Sequence, residues 1–207
     1  MAGGQVINAD NIENFPGLPE GISGADFGDL LHDQATLHGL VIRTSEVDTL
    51  QQKKDYWAVG TYGDQILSKA VIVAGGSTLR RLGVPGEERL HGSGVSYCAT
   101  CDGAFFSDQI VGVVGGGDSA LDEAVVLTRF ASKVIIFNRS DRFRGQSILQ
   151  QRAFSNPKID VHWNTVIKAI VGERQVEGLK VTDRISDKEY QIELSGLFVY
   201  VGLDPNT

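Results

Sequence analysis

Val111-Gly112-Val113-Val114-Gly115-Gly116-Gly117-Asp118-Ser119-Ala120 decides the fold. An apolar strand runs into a glycine turn, and the turn opens a helix. Gly115-x-Gly117-x-x-Ala120 fits the dinucleotide fingerprint G-x-G-x-x-G/A: Gly115 allows a tight turn, Gly117 admits a pyrophosphate, and Ala120 permits close helix–strand packing. The helix start, with Asp118 and Ser119, offers backbone amides to phosphate oxygens. Gln109 to Val114 reads as a strand, Asp118 to Phe130 as a helix and Lys133 to Phe137 as a second strand, so the motif sits in a βαβ unit.

Asn138 ends that second strand, where an acid selects NAD and an arginine accommodates the 2′-phosphate of NADP. No acid stands there, and Arg139, Arg142 and Arg144 follow it. Guanidinium groups make charge-assisted, often paired hydrogen bonds to phosphate, so this stretch favours NADPH over NADH. A solvated charge cluster, which Asp141 fits, is the plainer alternative.

Ten residues before the turn lies Ser96-Tyr97-Cys98-Ala99-Thr100-Cys101-Asp102-Gly103, which holds both cysteines of the chain. Two thiols at this spacing can bond and unbond with little backbone movement. At the start of a helix one of them gains thiolate character, and Asp102 is placed to exchange a proton with a leaving thiolate. Half a zinc site is the competing reading. It needs two more ligands; there is no further cysteine, His32 and His38 are spaced too widely for the usual pair, and His91 and His162 stand alone. No metal site is expected.

Outward from this centre the chain reads as α/β. Residues 1–22 are turn-rich, and Asp26 to Gly39 is an amphipathic helix carrying Phe27, Leu30, Leu31, Ala35 and Leu37. Val41 to Val47 reads as a short strand. Asp55 to Tyr62 and Gln65 to Val73 read as a hairpin around Gly63-Asp64, with Lys69 to Gly76 an apolar run typical of a buried strand. Past a polar connection at Arg80 to Gly94 come the motifs above. They are followed by a helix at Ile148 to Phe154, a strand at Ile159 to Trp163, a β-meander over Val166 to Ile185 with Tyr190 to Leu194, and a last strand at Gly196 to Val201. The expected domains are 1–79 and 80–207.

Composition narrows the partners. A net charge of −7 argues against a nucleic-acid backbone or an anionic membrane. No apolar run approaches the roughly 20 residues that span a bilayer. The first residues lack the basic and apolar regions of a signal peptide. Two close cysteines without an export signal fit a reducing cytoplasm.

Taken together, the Cys-Ala-Thr-Cys-Asp-Gly stretch, the Gly115 to Ala120 turn, Asn14-Phe15-Pro16-Gly17, Gly75 to Gly86 and the closing Val201 to Thr207 resemble the low-molecular-weight thioredoxin reductases of bacteria, fungi and plants. The resemblance covers essentially the whole chain. It implies a Rossmann-like NADPH-binding domain, a parallel sheet plus β-meander, set into an FAD-binding domain that is partial here, and a homodimer in full-length members. It implies thioredoxin-disulfide reductase activity, with electrons passing from NADPH through FAD to the cysteines and on to thioredoxin. Cys101 would face the flavin, Cys98 would attack thioredoxin and Asp102 would serve as acid/base. Gln5 and Asn14 match positions that contact FAD, Ala74-Gly75-Gly76 stands where the family has Ala-Thr-Gly near the flavin, and Arg139 and Arg144 match the 2′-phosphate arginines. The family's His-Arg-Arg is Asn138-Arg139-Ser140 here. Its first strand with a G-x-G-x-x-G turn and its closing Gly-Asp segment are not found, so the chain reads as a fragment, expected to be inactive alone. A flavoprotein partner of a peroxiredoxin, or a non-catalytic NADP-binding module, are the alternatives.

Overall fold

Alternation along three adjacent strands builds the larger part of this protein. In the computed structural model, which describes residues 3–206, the chain divides into two compact units, Met1–Gly76 with Asn206–Thr207, and Ser77–Pro205.

The first unit holds helix α1 (Gly24–Leu37) and an antiparallel sheet of β1 (Val47–Gln52), β2 (Trp57–Thr61) and β3 (Asp64–Ser68), in the order β1-β2-β3. α1 starts two residues before the expected Asp26 because the Ser23 hydroxyl caps it, accepting the Asp26 N–H at 3.1 Å. It stops where Gly39 turns left-handed at φ +89°. Thr61 pairs with Asp64, so the hairpin turns at Tyr62-Gly63, one residue earlier than read from sequence.

Two expected strands are absent. Residues 41–46 and 69–76 form no ladder. Val41 is 79% exposed, and Ile72 and Val73 are 92% and 68% exposed. Apolarity signals a wish for burial, but a buried strand also needs neighbours on both edges, and among the described residues none lies beside either segment. The apolar face expected on α1 is likewise open, with Leu30, Leu31 and Leu37 exposed.

The second unit contains, in chain order, β4 (Ser77–Leu79), β5 (Val95–Ser96), α2 (Ala99–Asp102), β6 (Ile110–Val114), α3 (Asp118–Leu127), β7 (Lys133–Phe137), α4 (Ser147–Ser155), β8 (Ile159–His162), β9 (Thr165–Val171), β10 (Gly178–Asp183), β11 (Glu189–Glu193), β12 (Gly196–Val199) and β13 (Leu203–Pro205). Five strands form an all-parallel sheet in the order β5-β12-β6-β7-β8. β9, β10 and β11 form an antiparallel sheet, and β4 pairs with β13. The α/β class and the parallel sheet are as expected.

The parallel strands are buried on both faces, and their residues alternate between two cores. Val111, Val113, Val134, Ile136 and Phe198 face α3 and α4 with Ala120, Leu121, Ala124 and Leu127. Val114, Ile135, Phe137, Leu197 and Val199 face the β9–β11 sheet with Ile167, Ile170, Leu179 and Val181. The strand period of two therefore makes one sheet the middle of three layers.

The connection from β4 to β5 is tied down by one carboxylate. Glu87, 3% exposed, accepts the N–H of Leu82 at 2.8 Å, the N–H of Gly83 at 2.6 Å and the Tyr97 hydroxyl at 2.7 Å. Burial alone would raise its carboxyl. The donors from Leu82, Tyr97, Gly83 and Val84 outweigh that and hold it below its ordinary value of 4.5. The same burial and hydrogen bond push the Tyr97 hydroxyl well up.

Three outcomes follow for stability. Phe198→Ala, which empties a fully buried site, should cost about 3–5 kcal/mol, read by urea unfolding of Trp163 fluorescence in a Trp57→Phe background. Val73→Lys should stay within about 0.5 kcal/mol; a large loss there would mean that the 69–76 segment is packed. Glu87→Gln should cost about 1–3 kcal/mol near neutral pH. A carboxyl held below its ordinary value contributes stability that is complete above about 4.5 and lost as pH falls through its lower folded value. The gap between wild type and Glu87→Gln should therefore shrink on acidification below that point, and a gap that widens would contradict this account.

Candidate active site

The C-terminal ends of β6, β7 and β12 converge where the sheet order reverses direction. β6 leads through α3 to β7 on one side, while β12 lies on the other. Crevices outside the carboxyl ends of parallel strands at such a reversal are where α/β sheets hold ligands. Here the crevice is a cavity of about 400 Å³ lined by Val114–Gly116, Phe137–Arg139, Tyr200 and Val201, with Leu82, Val84 and Thr165–Ile167.

Gly115 makes the crevice possible. Its φ is +146°, and a Cβ placed on it would lie 2.4 Å from the Tyr200 carbonyl oxygen and 2.9 Å from the Ala120 Cβ. Gly117, by contrast, faces open space, and a Cβ there would meet nothing within 4 Å. The turn is thus tight against β12 and bare on the side where α3 begins. Gly117, Asp118, Ser119 and Ala120 line a smaller cavity of about 140 Å³ with Tyr200–Leu203. Arg144 lines both cavities.

Arg80, Arg81, Arg139 and Arg144 line the larger cavity, and no carboxylate does. Arg80 is gripped by Asp204 through Nε and Nη2. Arg139 and Arg144 belong to the loop after β7, and its shape is set by Asn138. That side chain is 6% exposed, and its Nδ2 donates to the carbonyls of Ser140 at 3.2 Å and Arg142 at 2.8 Å. Asn138 lines the cavity, but its donors are spent on the loop.

The loop is then clamped to the glycine turn. The N–H groups of Arg144 and Gly145 donate to the Gly116 carbonyl at 2.7 and 3.1 Å. Asp118 accepts Gln146 through the side-chain amide at 2.9 Å and the backbone N–H at 2.7 Å, which hold its carboxyl below the usual range. Asp118 therefore braces the loop as well as opening α3.

The cysteines lie in the same unit, bonded to each other with Cα atoms 5.3 Å apart. Cys98 caps the first turn of α2: its Sγ accepts the Cys101 N–H at 3.2 Å and lies 3.3 Å from the Thr100 hydroxyl. Cys101 is exposed and Cys98 half-buried. Ser96 links the pair to the acid. Its Oγ accepts the Cys98 N–H at 3.1 Å and donates to Asp102 Oδ2 at 2.6 Å.

Behind α2, the Ala99 N–H is shared between the Tyr200 hydroxyl at 2.9 Å and Glu123 Oε2 at 3.2 Å. Burial first, then the charge of Glu123, push the Tyr200 hydroxyl well up, so it stays protonated. Tyr200 also lines both cavities, so one residue borders the crevice and, through its hydroxyl, the cysteine turn.

The expected residues thus fall into two groups. Cys98, Cys101, Asp102, Gly115, Gly117, Asp118, Ser119, Ala120, Asn138, Arg139 and Arg144 all lie in the Ser77–Pro205 unit, around the crevice and α2. Gln5, Asn14, Ala74, Gly75 and Gly76 lie exposed in the other unit and line neither cavity. There, Asn206 donates to the carbonyls of Gly75 and Gly76 at 3.0 Å each. Sequence reading missed Arg80, Arg81, Ser96, Glu123 and Tyr200. Arg80-Arg81 could have been flagged as a basic pair after a glycine turn, and Tyr200 as the residue ending the last parallel strand. Nothing in the sequence singled out Glu123 from its neighbours on α3.

Comparison with known proteins agrees with this geometry. The chain is 42% identical to a thioredoxin reductase of Bacillus subtilis over 99% of its length and 65% of the relative's. It is 43% identical to one of Streptomyces clavuligerus over 100% of its length and 64% of the relative's. It thus spans about two thirds of the length of these relatives. Among solved structures, the thioredoxin reductase of Lactococcus lactis in its FR conformation superposes with a TM-score of 0.93 at 39% identity, covering 98% of this chain and 67% of that one. That of T. acidophilum gives 0.91 at 31%, covering 100% and 67%. Residues 2–207 match the pyridine nucleotide-disulphide oxidoreductase family, and with the crevice, the glycine turn and the bonded cysteines in one unit, the chain belongs to that family.

Proposed function

We propose that this chain carries the nucleotide-binding and dithiol parts of an NADPH-dependent thioredoxin-disulfide reductase that acts as a flavoprotein, in the cytoplasm and as a homodimer. The observation that carries the reading is Tyr200. It lines the arginine-walled crevice, and its hydroxyl accepts the N–H next to Cys98, so a nucleotide site and a redox pair share one wall.

NADP fits the crevice. Gly115 and Gly117 leave room for the pyrophosphate, the bare start of α3 offers N–H groups to it, and Arg139 and Arg144 provide cations for the 2′-phosphate. Arg80 and Arg81 add positive charge, and no acid is present to prefer an unphosphorylated ribose. FAD, when bound, supplies a two-electron relay between the nicotinamide and the disulfide. Gln5, Asn14 and Ala74–Gly76 are the residues here that would touch it, and each of them is exposed.

The sulfurs are unequal. Cys101 is the exposed one, and opening the bond from its side releases Cys98 as a thiolate that already accepts the Cys101 N–H and lies beside the Thr100 hydroxyl. That makes Cys98 the better leaving group and the thiolate that attacks next. Its attack on a thioredoxin disulfide forms a mixed disulfide and expels one thioredoxin thiolate. Cys101 then attacks Cys98 in that bond, restores the Cys98–Cys101 disulfide and frees the second thioredoxin thiol. Asp102, oriented by Ser96, accepts and returns the proton of the exchanging thiols.

Two measurements test the reading. Calorimetric titration should show NADPH binding tighter than NADH, with Arg139→Ala and Arg144→Ala each weakening NADPH by about tenfold or more through loss of a charge-assisted hydrogen bond. Equal affinities for the two nucleotides would remove the NADPH assignment. In the second, Cys101→Ser leaves Cys98 free, and incubation with oxidised thioredoxin should give a mixed disulfide visible by intact mass. Conjugation of the Cys98→Ser variant in its place would reverse the roles of the two sulfurs.

A further inference from the structure

Glu123 is an unusual choice for its position. It projects from α3 toward the first turn of α2, half-buried, with Oε2 3.2 Å from the N–H of Ala99, the residue after Cys98. Ala99 is fully buried, and the Tyr200 hydroxyl already accepts that N–H at 2.9 Å. The hydrogen bond alone therefore does not call for a carboxylate, because a neutral acceptor is already in place. What Glu123 adds is a negative charge one residue from a sulfur that must become a thiolate. Glu123 also hydrogen-bonds Tyr200 and, after burial, is the next cause that pushes that hydroxyl up.

We infer that Glu123 sets the redox poise of the Cys98–Cys101 pair, its charge against the Ala99 peptide opposing the thiolate and so favouring the disulfide. The inference rests on the redox role proposed above. A disulfide is neutral, whereas the dithiol carries part of a negative charge on its more acidic sulfur, so a nearby carboxylate weighs on the reduced form alone. The Cys101 N–H and the Thr100 hydroxyl pull the other way on Cys98. The equilibrium of the pair is the balance of these groups, and Glu123 acts on it through the Ala99 peptide and across space rather than by touching a reacting atom.

The test is equilibration of the 207-residue chain with dithiothreitol at fixed pH. Two electrons and two protons pass from the dithiothreitol thiols to the Cys98–Cys101 bond, which opens as the ring disulfide of oxidised dithiothreitol closes. The dithiol fraction is read by alkylation and mass. Glu123→Gln keeps the acceptor and the shape but removes the charge. It should shift the equilibrium constant toward the dithiol by about tenfold, the scale of one charge a few ångströms away at an intermediate dielectric, equivalent to about 30 mV for a two-electron couple. Glu123→Asp should stay within about twofold of wild type. Glu123→Gln should melt at the wild-type temperature, a result that a purely structural role would not combine with a shifted potential. Equal constants for wild type and Glu123→Gln would overturn the inference while leaving the redox role intact. A pair that never equilibrates with dithiothreitol would overturn both.

Discussion

The close approach of Gly115 to the Tyr200 carbonyl is the constraint on which the site depends. β6 and β12 are parallel neighbours, and their ends come within a distance that no side chain at residue 115 tolerates. Because the two strands close together there, the chain after β6 must turn outward into α3, and the chain after β12 must run past the mouth of the turn. The crevice is what remains between these departures. Tyr200 is the first residue beyond β12; its carbonyl lies against the glycine turn, and its hydroxyl meets the start of α2. One steric condition thereby places the phosphate turn, the wall of the crevice and the backing of the cysteines.

Electrostatics completes what sterics begins. The chain is acidic overall, yet the crevice gathers four guanidinium groups and no carboxylate. The acids nearby are turned to other work: Asp204 holds Arg80, Asp118 holds Gln146, Glu87 holds the Leu82–Gly83 backbone, and Asp102 and Glu123 surround the cysteine turn. The arginine-lined crevice and the acid-flanked cysteine turn thus lie in one unit with their charges kept apart.

What the sequence made legible was whatever local pattern controls. The β6–α3–β7 unit and the last parallel strand were readable because their strands are buried on both faces within this chain and their helix opens on a glycine turn; the β-meander was readable from its alternation of buried and exposed residues. The segments at 41–46 and 69–76 misled for one reason: their composition reports a preference for burial, while a ladder depends on a neighbour that sequence pattern cannot supply. Within the site, Cys98, Cys101 and the glycines announce themselves by spacing. Glu123 and Ser96 do not, because their importance comes from which atom each faces after folding. Asn138 was read as a selector at the nucleotide; it lines the crevice, and its amide also shapes the loop that carries the arginines, a role only the folded backbone shows.

That last arrangement separates specificity from architecture. Asn138 grips only the carbonyls of Ser140 and Arg142, and Gly116 receives only backbone N–H groups from Arg144 and Gly145. The loop keeps its course whatever side chains stand at 140 and 142. In the proposed reading, nucleotide preference is therefore a replaceable surface feature: the side chains of Arg139 and Arg144 can be exchanged while the backbone bonds that hold the loop, and the sheet beneath it, stay the same.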